Sequence, residues 1–369
     1  MHASLRSPRQ ATTLLSAIAC LLVFAFALSA CGDDEDSGAG AGGGSGAEES
    51  AGVPKKSIVY AQLVGDASEI ALRESTAVKL ATEALGWDLT YIEGAGDIPQ
   101  MIQGINGAIN GGADAVMIAS TDAPLVKQSI DLAKRKDVPV LGVGGGAPPS
   151  AEYDAQYQED EVRMAEELTA RMVEDLGGEG TVAVLDNTQI SAGKFRQEGR
   201  EATLEGTDIE TVGRQDTDLA DLIGGAKKGV SAMLTQNPDV DALWLVYDAM
   251  MPPGLEALNQ RKNTTTKVYS WFANPSNLEV MRKNENVQAL VDSNLDHTDL
   301  IAIDQLARFF KDGTELDPDA LKNCDVKYEV VARDNMPPEG EINFPVEENA
   351  QPFIDNWKAG KYGEGADCA

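Results

Sequence analysis

From Ser57 to about Phe310 the chain repeats one kind of unit, a short apolar run followed by a longer amphipathic stretch. SIVYAQLV (57–64) leads into a helical pattern that reaches Leu85, DLTYIE (88–93) precedes MIQGINGAINGG, DAVMIAS (114–120) precedes PLVKQSIDLAKRK, and VPVLGVG (138–144) closes the series. Near Gln156 a second series opens with EDEVRMAEELTARMVEDL, and its short runs are TVAVLD (181–186), IETVGRQ (209–215), ALWLVYD (242–248), KVYSWFA (267–273) and VQALVDS (287–293). Short continuous apolar runs read as strands covered on both faces, and their alternation with helices demands a mostly parallel sheet between helical layers. The expected fold is therefore α/β, with two doubly wound parallel-sheet lobes and a cleft at the carboxyl ends of the strands.

Sixty acidic residues against 30 basic ones give a formal charge of −30. Such a surface repels nucleic-acid phosphates and anionic headgroups, so no nucleic-acid partner is expected. His2 and His297 are the only histidines, and no Gly-x-Ser-x-Gly or Walker sequence occurs. Histidine-based triads and His-rich metal sites are thereby disfavoured, and we expect no enzyme, no cofactor and no metal.

One glycine cluster invites a different reading. Within VPVLGVGGGAPP (138–149), Gly142-x-Gly144-x-x-Ala147 has the spacing of a dinucleotide fingerprint. That motif must sit in a first βα turn and open a helix. Here the glycines follow the fourth strand, and Pro148-Pro149-SAEYDAQY opens no apolar-periodic helix. Gly144 and Gly145 are expected instead to offer open volume and bare backbone N–H groups to the cleft.

The first 30 residues carry a basic head, Arg6 and Arg9, then an apolar stretch from Leu14 to Leu28, the pattern of a secretory signal. Leu28-Ser29-Ala30-Cys31 resembles the lipobox of bacterial lipoproteins, which implies cleavage before Cys31 and lipidation of that residue. Residues 31–56 are rich in Gly, Ala, Ser and acid, a flexible tether with a reach of roughly 25–30 Å for about 25 residues. Export to an oxidising compartment leaves Cys324 and Cys368 as an expected disulfide. The protein is expected on the outer face of the cytoplasmic membrane, as a monomer.

Four segments in order carry a family resemblance: GADAVMIASTDAPLVKQSIDLAKRKDVPV, FRQEG (195–199), NPDVDALWLVYDAMMPPGLEAL (237–258) and YEVVARDN (328–335). Together they resemble the type I periplasmic solute-binding proteins, in particular the ribose/galactose-binding branch. The resemblance covers about 57–335 and implies two lobes joined by a three-segment hinge, with crossings near 155–158, 292–295 and 325–329. It places 57–156 plus 294–327 in the N-terminal lobe and 157–293 plus 328–369 in the C-terminal lobe. It also implies a small-molecule solute, sugar or sugar derivative in the first instance, and an ABC permease in the membrane as partner. A sensor that presents its bound state to a chemoreceptor or histidine kinase is the alternative role.

The branch's sugar contacts, carried across position by position, fall largely on other residue types. Its N-P-F-F falls on Ser68-Glu69-Ile70-Ala71, and the Asp-Arg pair after the fourth strand falls on Gly144-Gly145. An Asn falls on Tyr247 beside a retained Asp248, the Asp of G-F-D falls on Phe272, and the hinge-side Gln falls near Ser293 or Asn294. The Arg of R-x-x-G is retained as Arg196. Trp271 stands beside Phe272, and Asp66, Asp122 and Gln189 are further polar candidates at strand ends. This pattern describes a carboxylate-poor cleft with Arg196 still present, which leaves a carboxylated or aromatic solute open as the alternative to sugar.

Overall fold

The computed structural model describes residues 52–65, 68–218, 221–323 and 326–365. The signal, Cys31, most of the tether, Asp66, Cys324 and Cys368 lie outside the described residues.

The first sheet contains β1 (Ser57–Gln62), β2 (Asp88–Glu93), β3 (Ala115–Ala119), β4 (Val140–Val143) and the two-residue β5 (Ala155–Gln156), in the spatial order β2-β1-β3-β4-β5 with every pairing parallel. Its strands are covered on both faces, as their unbroken apolar runs require. Ile58, Tyr60, Ala115 and Met117 face one cluster, while the alternate residues Val59, Ala61, Val116 and Ile118 face the other. One face is covered by α1 (Glu69–Ala84) and α9 (Asp296–Asp312), the other by α2 (Ile98–Asn110) and α3 (Lys127–Lys134). Asp97 caps α2 by accepting the Gln100 N–H at 3.0 Å.

The second sheet contains β6 (Glu179–Asp186), β7 (Asp208–Asp216), β8 (Ala242–Leu245), β9 (Lys267–Trp271), β10 (Val287–Ser293) and β11 (Tyr328–Ala332), ordered β11-β10-β9-β8-β6-β7. Only β11 runs antiparallel to its neighbour among these described strands. Its helices are α4 (Glu161–Leu176), α5 (Ser191–Leu204), α6 (Leu222–Gln236), α7 (Met251–Gln260) and α8 (Pro275–Lys283). Asp160 caps α4, and Gly177 ends it in the left-handed region at φ 74°.

The chain passes between lobes after β5, after β10 and before β11. A fourth passage follows β11, because α10 (Val346–Lys358) packs back on the first lobe. This corrects the expectation that everything after 328 stays with the second lobe. Phe353 and Trp357 are buried in the first-lobe core, Trp357 Nε1 donates to Asp304 at 2.8 Å, and Asn349 donates to Asp296 at 2.9 Å. The folded body also begins before residue 57. Val53 is buried in the same core, and Lys56 pairs with Asp114 at 2.9 Å.

Candidate ligand site

The carboxyl ends of both sheets face one another across a cavity of about 210 Å3. That is below the roughly 300–1,000 Å3 of sites for drug-sized ligands, so it suits a small solute. The first lobe contributes Gln62 at the end of β1 with Leu63 and Val64 after it, Ile70 and Glu74 from α1, Ser120 after β3 and Gly145 after β4. The second contributes Glu161, Ile190, Ala192, Arg196, Leu222, Tyr247, Asp248 and Phe272, and the crossing segments contribute Glu159 and Leu295.

Arg196 reaches this wall, but its charge is taken. Its Nε and Nη2 donate to the two oxygens of Glu161 at 2.7 and 2.9 Å, and Nη1 donates to the Val246 carbonyl at 2.8 Å. The guanidinium lies 3.7 Å from the Trp271 ring centre and 5.0 and 5.4 Å from Tyr247 and Phe272. A fork–fork pair stacked on an aromatic face is a finished structural unit. The free arginine that would have attracted an anionic solute is therefore absent from this site.

Nor is the cleft poor in carboxyl groups. Gly144 and Gly145 follow the fourth strand, and a Cβ at Gly144 would stand 2.7 Å from Glu74 Oε1. One at Gly145 would stand 2.6 Å from Glu161 Oε1 and 2.7 Å from Glu159 Oε1. The volume the glycines leave is filled by acids from other elements. Their N–H groups are also engaged, since Gly144 donates to Thr298 Oγ1 at 2.9 Å and Gly145 to Ser120 Oγ at 3.1 Å. Gly146 lets the lobes meet, because a Cβ there would lie 2.3 Å from Ala192 Cβ of α5.

The other sequence candidates divide clearly. Tyr247, Asp248 and Phe272 line the cavity, Phe272 with a left-handed φ of 53° that turns the chain at the end of β9. Trp271 is fully buried beneath Arg196, edge-on to Trp244, and belongs to the core. Gly144 lies behind the wall. Asp122 accepts a hydrogen bond from Ser191 Oγ at 2.7 Å, a contact between the lobes, and Gln189 is exposed outside the wall. Ser293 donates to Glu159 Oε2 at 2.5 Å, and Asn294 joins two crossing segments through Lys327 N–H at 2.7 Å. Both support the site from behind.

Sequence reasoning missed Glu74, Glu159 and Glu161. Glu74 is buried and accepts from Gln62 at 2.9 Å, but its Oε1 has no hydrogen-bond partner. Glu159 Oε1 is in the same condition. Burial pushes the Glu74 carboxyl up to about 8, with Asp296 adding to the shift against Gln62 and Arg73. Burial and then Glu161 push Glu159 up to about 8, against Ser293 and Arg196. Burial also raises Asp248 from its ordinary range, against the Ala249 N–H and Arg196.

A solute-sized cavity between two α/β lobes is the geometry of a protein that holds a small molecule between them. A family model for the periplasmic binding protein domain matches residues 72–314, and the chain belongs to that family, in its type I, ribose/galactose-like form. Solved structures agree in fold. An ABC sugar transporter subunit from Rhodobacter sphaeroides aligns with TM-score 0.67 at 20% identity, over 76% of this chain and 99% of that one. A solute-binding protein from Actinobacillus succinogenes with bound D-allose gives 0.68 at 16%, over 76% and 99%. One from Bacillus halodurans with bound myo-inositol gives 0.65 at 16%, over 80% and 98%. No curated protein sequence matches the chain. Among the described residues no helix is long and apolar enough to cross a membrane, and no group of three or more His, Cys, Asp or Glu could hold a metal ion.

Proposed function

We propose that this chain is the lipid-anchored solute-binding subunit of an ABC importer, which captures a small polyhydroxylated solute between its lobes and delivers it to a membrane permease. The observation that carries this reading is the cavity of about 210 Å3 lined from both lobes at the strand ends. Hydroxyl groups have acceptors there in Gln62, Ser120, Glu74, Glu159 and Asp248, and the apolar faces of a ring have Tyr247 and Phe272. The arrangement acts by binding and closure.

A thermal-shift screen over sugars, polyols, amino sugars and sugar acids tests the reading, because a ligand that binds only the folded state raises the melting temperature. A concentration-dependent rise with at least one member is expected; no rise with any member would contradict it. The anchor is tested separately. Cys31→Ala should release the protein from membranes, and unchanged membrane retention would refute the anchor while leaving solute binding intact.

A further inference from the structure

Six buried carboxyl groups gather around one wall of the cavity: Glu74, Glu159 and Glu161 line it, and Asp292, Asp296 and Asp299 stand behind them near Arg73 and Glu74. Only two guanidinium groups stand among them. Arg196 is held by Glu161, and Arg73 is 3.0 Å from Asp292 and 3.7 Å from Asp296. Glu74 and Glu159 line the cavity without a basic partner of their own, and each keeps one oxygen that no described group bonds. These orphan oxygens lie against successive residues, that of Glu74 against Gly144 behind the wall and that of Glu159 against Gly145 in it.

Buried polar groups left without partners are costly, and buried like charges more so. A neutral hydroxyl offers one proton and no charge. A protonated amino group offers three donors and the missing positive charge, and it is compact enough to sit between two carboxylates. Deepening the solute-binding reading and resting on it, we infer that the solute presents a protonated amino group to Glu74 and Glu159, so that its class is an amino sugar or amino polyol. Gln62, Ser120 and Asp248 then serve the solute's hydroxyls, while Tyr247 and Phe272 cover its apolar face.

The groups facing this pair determine the proton balance. Glu74 is faced by Arg73 of its own helix, by Tyr60 and Gln62 of β1, and by Asp296 and Asp299 of α9. Glu159 is faced by Glu161 of α4, Arg196 of α5, Ser293 of β10, and Arg73 and Glu74 of α1. With the site open to no cation, both carboxyls hold their protons to about pH 8. An ammonium group that enters expels them, so binding releases protons near neutral pH.

The test is calorimetric titration of the intact protein with matched pairs, 1-amino-1-deoxysorbitol against sorbitol and glucosamine against glucose, with galacturonate as the anionic arm. At pH 7 the amine member of at least one pair should bind at least tenfold tighter than its neutral parent. Its affinity should rise between pH 6 and 8, with protons released in buffers of different ionisation heat. Glu74→Gln and Glu159→Gln, checked for folding by melting temperature, should each bring the ratio within a pair towards one. Neutral members that bind as tightly as the amines, galacturonate binding tightest, or amine binding without proton release would overturn the inference and leave the solute-binding reading standing. Failure of every compound to bind would overturn both.

Discussion

Two buried arginines flank the cleft and are satisfied in opposite ways. Arg196 finds Glu161, the Val246 carbonyl and the Trp271 ring, all within the second lobe. Arg73, on α1 of the first lobe, donates across the divide to Asn274 at 3.3 Å, Asp292 at 3.0 Å and the Ser293 carbonyl at 2.7 Å. The first is a piece of wall that keeps its partners whether the lobes are apart or together. The second is a tie between lobes, close to the segments where the chain crosses from one to the other. Motif position alone could not separate these roles. Arg196 sits in a recognisable R-x-x-G element, whereas Arg73 sits in an undistinguished helix and carries the inter-lobe charge.

The largest effect that would sharpen this contrast is expected from Arg73→Met. Removing one partner from a buried charge pair costs about 3–5 kcal/mol, because the other charge stays buried. Urea denaturation should show that loss for Arg73→Met, together with weaker solute binding, since the variant loses the tie. Arg196→Met should lose a similar amount of stability. The double variant Arg196→Met/Glu161→Leu should recover much of it, since an apolar replacement for the whole pair is often neutral or stabilising. Additive losses in that cycle would contradict the account of Arg196 as a self-contained unit.

A pH effect comes next. A carboxyl whose folded-state value is raised to about 8, as for Glu74 and Glu159, holds a proton that the unfolded chain has released. Stability from these two groups is present below their unfolded range and is lost as pH rises through the folded value. The ligand-free wild type should therefore lose stability relative to Glu74→Gln/Glu159→Gln between roughly pH 4.5 and 8. Parallel pH profiles for the two proteins would contradict it. The smallest effect belongs to the rim, where exposed Ser276 donates through Oγ to half-buried Glu69 of the other lobe at 2.9 Å. Ser276→Ala should change stability by less than about 1 kcal/mol, a bound that urea denaturation can check.

Most of the fold was legible because its signals are local. The parallel strands are short apolar runs, and nine of the eleven described strands fall on such runs; β11 was legible through the resemblance of YEVVARDN, and β5 has only two residues. The α10 helix was missed although Val346, Ala350, Phe353 and Trp357 mark its buried face at helical spacing, because it follows 328–335, the last segment that carries the family resemblance. The site was less legible. In a chain with 60 acids a carboxyl group carries little information, and Glu159 and Glu161 look like one more acidic run. Glu74 left a fainter trace, since it shares the buried face of α1 with Ala71, Ala77 and Val78. Arg196 was found, but its partner lies 35 residues away, and only the packed structure shows that its charge is already met. The glycines of VPVLGVGGGAPP read as open volume with bare N–H groups, but acids from other elements fill that volume and the N–H groups of Gly144 and Gly145 are engaged.

The account's central claim is that the solute sits in the cavity between the lobes. Leu222, half-buried at the start of α6, forms part of its wall without joining any of the ion pairs. Leu222→Trp should fill the cavity from the side, so calorimetric titration with a solute that binds the wild type should show at least a tenfold loss of affinity in a variant that still melts cooperatively. Binding of that solute to Leu222→Trp with wild-type affinity would place the site elsewhere and contradict the account.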